Sequence, residues 1–344
     1  MRLMLPLLLS VGLGLAGLYL ATREQIFSAA LYAPKELPAW LLIFAVLTLV
    51  ALWLAPVAKL VLLARYQGYP LTWWHAFLAH VAQVFGTATT PAGTGGAPFL
   101  VVALERVGVP AGAGLAMAVQ LFVLDLAALG LLIPIGLAYL LLATPVVLGP
   151  WLSVGAGVGA LLALVGAVAL VRFPRPVVRA LHALASWRLL ARFQRRLRRV
   201  AVEYHASATA FRDLPLRYWL SLHVANFTAW LTSFALFWAL LVMYGADVRL
   251  LDVLALLSMI TLLSFFVPTP GASGVMELLL GLAVGAAGSQ LKSVAAPVLV
   301  WRATTFYLAY LLGPLSAWLL LSRRRPQAAT LGHGVSERDD RSDA

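Results

Sequence analysis

A chain of 344 residues that is 62% hydrophobic and 11% charged, with a mean hydropathy of +0.93, carries more apolar side chain than a water-soluble core can bury. The composition is that of a polytopic membrane protein without a folded soluble domain, since the only long polar stretches are 172–217 and the tail after Ser322. The lack of Cys excludes disulfides and Cys-based metal or redox chemistry, and the formal charge of +12 rests on arginines, with Lys35, Lys59 and Lys292 the only lysines.

In chain order, Arg2 precedes an apolar run Leu3–Leu20, too long for a signal peptide core and read as a first span. A linker with balancing charges, Ala21–Pro38, leads to a second span, Ala39–Ala64, ending at Arg65; Trp73, Trp74 and His75 then form an interfacial belt. The helix expected from Thr72 to Phe85 rises only about 21 Å, short of a hydrocarbon core of about 30 Å. Its return arm, Pro98–Arg106, is shorter still, so 72–106 reads as a re-entrant hairpin. Spans follow at Ala113–Ala143, with a kink expected at Pro134, and up to Val171 after an uncharged turn at Pro145–Pro150.

Segment 172–217 carries eleven Arg against Glu203 and Asp213, and by the positive-inside rule it is cytoplasmic. Leu190, Phe193, Leu197, Val200, Tyr204, Ala208 and Phe211 recur at helical spacing opposite Arg195, Arg196, Arg198 and Arg199. This amphipathic helix either binds an anionic leaflet through those arginines or serves as a topogenic loop; no nucleic-acid motif accompanies it. A span at Tyr218–Tyr244, a second hairpin over 251–287 and a last span, Val294–Leu321, complete the membrane region. Arg323, Arg324 and Arg325 anchor its end, and the polar tail 322–344 is expected to be disordered.

Both hairpins are broken by similar sequences. Thr89–Pro98 lies over Val267–Met276 with Thr90-Pro91 on Thr269-Pro270 and Gly95 on Gly274, an offset of 179 residues. Unpaired backbone groups in a bilayer cost several kcal/mol each, so breaks at Pro91, Pro268 and Pro270 survive only where protein or a wet cavity surrounds them. With all basic segments on one side, the chain has six spans plus two hairpins, both termini cytoplasmic, and hairpins that enter from opposite sides. The fold expected is all-α: two inverted repeats, 1–171 and 218–321, joined by the basic linker, with eight full spans as the alternative.

Asp125, Glu277 and Arg302 sit deep in apolar sequence, where each costs about 2.5–3.5 kcal/mol on insertion scales. Asp125 lies 30 residues after Gly95 and Arg302 28 after Gly274, with opposite charges at nearly equal depth. We expect the three to form one intramembrane cluster, either a binding site or a pair that only fastens the halves. Glu277 also falls in a first helical turn, where a carboxylate is favoured. Around the breaks, Gly95, Gly96, Gly271 and Gly274 let backbone N–H groups face an anion, beside Thr269. Thr94 and Ser273 either cap the new helices or donate to a phosphate.

TPAGTGG followed by Asp125, and VPTPGASGVMELLL followed by Arg302, resemble the lysylphosphatidylglycerol synthase transmembrane region family, also described as flippase-like proteins. The resemblance covers roughly Leu3–Leu321. It implies a bacterial inner-membrane protein that handles a phosphorylated lipid, either a phospholipid or a lipid-linked sugar, with Pro270, Gly271, Gly274, Glu277, Arg302 and Asp125 at matching positions. Ala272, Ala97, Leu121 and Phe122 depart from the family pattern. The aminoacyl-transfer domain of bifunctional members has no counterpart here, so aminoacylation is not expected.

A lipid translocase is the leading reading, with anionic phospholipid or a lipid-linked substrate as partner and no cofactor or metal. The alternative is a scaffold for an envelope lipid enzyme. A membrane enzyme is a third, with little in its favour: no pair among the six His has metal-ligand spacing, and neither G-x-S-x-G nor GK[ST] occurs.

Overall fold

The computed structural model describes residues 38–143, 150–187, 192–211, 214–286 and 295–322, and these are helical apart from short connections. The run Leu3–Leu20, most of the linker 21–38, the turn at 145–149, Arg323 to Arg325 and the tail fall outside them.

The first described helix, α1 (Ala39–Tyr66), ends in a turn closed by Gly68 at φ +78°, the left-handed conformation glycine adopts at no steric cost. Next come α2 (Trp73–Thr89) and α3 (Gly96–Arg106). Thr72 caps α2, its hydroxyl accepting from His75 N–H at 3.2 Å. The long α4 (Ala111–Ala143) runs through Pro134, and α5 spans Pro150–Arg172. The basic linker holds two helices, α6 (Arg175–Ser186) and α7 (Gln194–Ala210). The second half contains α8 (Leu216–Met243), α9 (Leu250–Ser264), α10 (Val275–Ala286) and α11 (Ala295–Arg302). A π segment, Ala303–Tyr307, and α12 (Leu308–Leu321) complete it.

Among the described residues five stretches are long and apolar enough to cross a membrane: Ala39–Tyr66, Ala111–Leu142, Ser153–Leu170, Leu216–Met243 and Ala296–Leu320. They coincide with the expected spans after the first. Helix α5 leaves Val154, Leu161, Leu162 and Val168 more than 60% exposed, an apolar surface whose matching solvent is hydrocarbon. At 1.5 Å per residue α2, α3, α9 and α10 rise only about 25, 17, 22 and 18 Å, each short of a hydrocarbon core of about 30 Å.

The bundle has two main cores. Leu60, Leu63, Leu100, Leu104, Met117 and Leu124 centre the one built on α1 to α4. Phe237, Leu241, Leu257, Leu280 and Val298 centre the other, on α8 to α11, with Leu41 of α1 joining because α1 lies along α8. A smaller aromatic cluster, Phe85, Phe306 and Tyr310, joins the two where α12 packs on α2.

The apolar face of α7 is covered by protein. Ala201, Tyr204 and Ala208 are buried, and the helix packs on α4 and α6. Contact with α4 is close at Gly112, where a Cβ would stand 2.3 Å from that of Glu203; the Glu203 carboxylate accepts Gly112 N–H at 2.9 Å. Arg195, Arg198 and Arg199 are exposed, and Arg196 pairs with Glu105 at 2.6 Å.

Candidate functional site

The two helix breaks have one design. After Pro91 the chain turns through Ala92 (φ +51°) and Gly93 (φ +67°), and after Pro270 through Gly271 (φ +57°) and Ala272 (φ +54°). Two consecutive left-handed residues make a type I′ turn. Its bonds recur at the 179-residue offset: Gly93 and Thr94 N–H donate to the Thr90 and Pro91 carbonyls at 3.2 Å, as Ala272 and Ser273 N–H donate to those of Thr269 and Pro270 at 3.1 Å. The turns meet, with Pro91 and Pro270 in an isolated antiparallel bridge.

Closing these turns consumes three of the four glycine N–H groups that the sequence offered to an anion. Gly95 N–H donates to Thr90 Oγ1 at 2.7 Å, Gly96 N–H to the Gly93 carbonyl at 3.1 Å, and Gly274 N–H to Glu277 Oε2 at 2.7 Å. Buried donors must be paired, and here neighbours in the same loop pair them. Thr94 Oγ1 donates back to the Pro91 carbonyl at 3.0 Å instead of capping the next helix, and Ser273 Oγ accepts from Arg302 at 3.3 Å. Thr269 Oγ1 donates to the Ser273 carbonyl at 2.9 Å and holds the second turn shut. Side chains therefore carry the capacity of this site for anions.

Glu277 and Arg302 pair at 2.6 Å, Nε to Oε1, with side chains 2% and 5% exposed. Arg302 Nη2 donates at 3.3 Å to the Gly271 carbonyl and to Ser273 Oγ, tying the last span to the second loop. The guanidinium stacks 3.9 Å above the Phe306 ring, with Tyr307 at 5.8 Å. Both rings belong to the π segment that follows Arg302 directly. Gly271 lies beneath the same ring, where a Cβ would approach Phe306 Cε2 to 1.9 Å.

Asp125 does not join them. Its Oδ1 accepts from Lys59 Nζ at 3.2 Å and from Trp230 Nε1 at 3.1 Å. Lys59 also donates to Asn226 Oδ1, and Asn226 Nδ2 donates to the Leu124 carbonyl at 2.7 Å. The expected single cluster is two ion pairs, one in each half. A two-residue difference in spacing turns a side chain by about 200° around a helix, so equal depth did not put Asp125 and Arg302 on facing sides.

The two pairs share a cavity of about 370 Å³. Lys59, Asp125, Arg302 and the turn residues Ala92, Gly93 and Gly271 line it, with Trp53, Trp230, Trp301 and Phe306 among its apolar walls. It presents two cations and one carboxylate inside a mostly apolar chamber, since Glu277 lies behind Arg302. Sequence reasoning missed Lys59, Asn226, Trp230 and Thr90. Lys59 alone carried a signal, a lysine six residues inside the Arg65 end of an apolar span. Among the described residues no group of three or more His, Asp and Glu is placed to hold a metal ion.

No curated protein matches the chain. A family model described as the lysylphosphatidylglycerol synthase TM region matches residues 4–313, a stretch that contains both turns, both ion pairs and the cavity between them. The chain belongs to the lysylphosphatidylglycerol synthase transmembrane region family.

Proposed function

We propose that this membrane protein is a lipid translocase that takes a phosphorylated headgroup, of a phospholipid or a lipid-linked sugar, into the cavity between its two turns. One observation carries the reading: Arg302 and Lys59 line one chamber, at the meeting point of two broken helices within an apolar bundle. A phosphate there is attracted by both cations without displacing a turn hydrogen bond, and the tryptophan-rich walls suit the glycerol and first methylenes of a lipid.

In this reading the halves are inverted repeats whose hairpins enter from opposite faces of the membrane. The matching turn bonds at a constant offset and the contact of Pro91 with Pro270 support it. The topology has six spans with both termini cytoplasmic, in a bacterial inner membrane, and the chain transports rather than catalyses. Lipid moves as one half rocks against the other.

The test is movement of fluorescent phospholipid between leaflets of proteoliposomes, comparing wild type with Arg302→Ala, Glu277→Gln and Lys59→Met at equal folded yield. Loss of movement in Arg302→Ala and Lys59→Met, with Arg195→Gln/Arg199→Gln unaffected, is the expected result. A wild type no faster than empty liposomes for phosphorylated or glycosylated lipids refutes the translocase and favours the scaffold.

A further inference from the structure

A second basic cleft lies at the end of α5, outside the cavity between the turns. It has a volume of about 380 Å³ and is lined by Arg172, Phe173, Pro174 and Arg175 on one wall and by His205 and Thr209 of α7 on the other. Among the described residues its lining includes no acidic side chain. His205 and Thr209 are one turn apart and so project from the same face of α7.

Three features fix the chemistry of a ligand. First, two arginines on one wall offer planar donors that match phosphate oxygens. Second, α6 starts at this elbow: Pro174 is its N-cap without a side-chain cap bond, and the proline at 176 follows in the first turn, so the positive end of the helix adds to the field. Third, the cleft stands where an apolar span ends. Val168 and Phe173 are 61% and 59% exposed on either side of Arg172, the depth at which lipid phosphates lie.

The surroundings point to a lipid rather than a free anion. Helix α6 carries Val177, Val178 and Leu181 packed inward against Ala116, Tyr204 and Ala208. At about 100° per residue, Ala180, Ala183, Leu184 and Trp187 form another side, on which Leu184 and Trp187 are 41% and 59% exposed. Between the two runs the side that bears Arg175 and Arg179. A helix with one face on protein, one apolar face exposed and one basic face suits the membrane interface, with hydrocarbon against the apolar face and headgroups against the basic one.

We propose that the α5–α6 elbow binds the headgroup phosphate of an anionic membrane phospholipid, with Arg172 and Arg175 holding the phosphate and His205 and Thr209 closing the cleft. The lipid is a resident one, separate from any lipid that enters the cavity between the turns. Through α7 it supports the start of α4 and the end of α3, where Glu203 binds Gly112 N–H and Arg196 binds Glu105.

The test titrates the full-length protein in neutral detergent with phosphatidylglycerol, counts lipids bound to the intact protein by mass spectrometry, and repeats the titration with phosphatidylcholine and with inorganic phosphate as competitor. The expected result is one tightly retained phosphatidylglycerol that inorganic phosphate fails to displace. Its apparent affinity falls about tenfold or more in Arg172→Gln/Arg175→Gln and is unchanged in Arg195→Gln/Arg198→Gln/Arg199→Gln, whose arginines lie outside the cleft. Equal loss in both multiple variants means diffuse surface charge and overturns the site, as does unchanged binding in the first. Displacement by inorganic phosphate, or equal retention of phosphatidylcholine, overturns an anionic lipid as the ligand. Should the double variant not fold, His205→Asn/Thr209→Val on the opposite wall must weaken binding at least about threefold, and unchanged affinity there also overturns the proposal.

Discussion

Gly271 and Ala272 are adjacent and share a left-handed conformation, yet exchanging glycine and alanine at the two positions is predicted to have very different consequences. In Gly271→Ala the new Cβ would lie 1.9 Å from Phe306 Cε2 and 2.1 Å from Cζ, against an ordinary carbon contact of about 3.5–4.0 Å. The ring must retreat by more than 1 Å, and it is the ring on which Arg302 stacks. Overpacking of this kind costs about 1–3 kcal/mol. The left-handed conformation costs an L-residue a further 1–2 kcal/mol, against about 0.4–1 kcal/mol recovered from a less flexible unfolded chain. The predicted destabilisation is about 1–5 kcal/mol, centred near 3. Ala272→Gly relieves that backbone cost but loses a buried methyl worth about 0.8 kcal/mol and the same chain-entropy term, so it stays within about 1 kcal/mol of wild type. The assay is unfolding by rising SDS mole fraction in mixed micelles, followed by the fluorescence of the 11 tryptophans. If Gly271→Ala unfolds with wild type while Ala272→Gly unfolds early, the ring does not sit on the second turn as described.

The remaining predictions use the same unfolding assay unless stated. Glu277→Gln leaves the buried Arg302 without its counter-charge and should cost about 3–5 kcal/mol, whereas Arg196→Ala, in an exposed pair with Glu105, should cost about 0–1 kcal/mol and less at high salt. Lys59→Met and Asp125→Asn should be non-additive, with a coupling energy of about 0.5–3 kcal/mol in a double-mutant cycle; simple additivity refutes the second ion pair. Burial pushes the Tyr204 phenol on α7 up to about 12 from its ordinary 10.0. Its raised value in the folded protein means that the unfolded chain loses the proton first, so stability is full below pH 10 and falls as pH climbs from about 10 towards 12. Tyr204→Phe should flatten that slope, and an unchanged slope assigns it to other groups.

Helices and breaks were legible in the sequence because they rest on local chemistry. The lengths of the apolar runs bounded α1, α4, α8 and the last span, and the paired prolines and glycines placed both turns. Glu277 and Arg302 were legible as partners because an unpaired charge at that depth is too costly to stand alone. What stayed hidden depends on rotation and long range. Asn226 meets Lys59 across 167 residues of sequence, and no spacing rule reports that. Whether an N–H at a helix start is free depends on what a neighbouring side chain does with it: Thr90 and Glu277 took the donors that the glycines had seemed to leave open. The π segment after Arg302 was equally invisible, since a single widened turn leaves no periodicity or propensity signal in Ala-Thr-Thr.

The bridge between the two loops is made by Pro91 and Pro270, the one residue type that brings no amide hydrogen to a contact. Neither residue can donate across the seam, so any bond that holds the bridge must come from the amides that flank the prolines. The bonds that shape each turn run within its own loop. The seam is thus a single isolated bridge, and neither turn relies on the other for its shape.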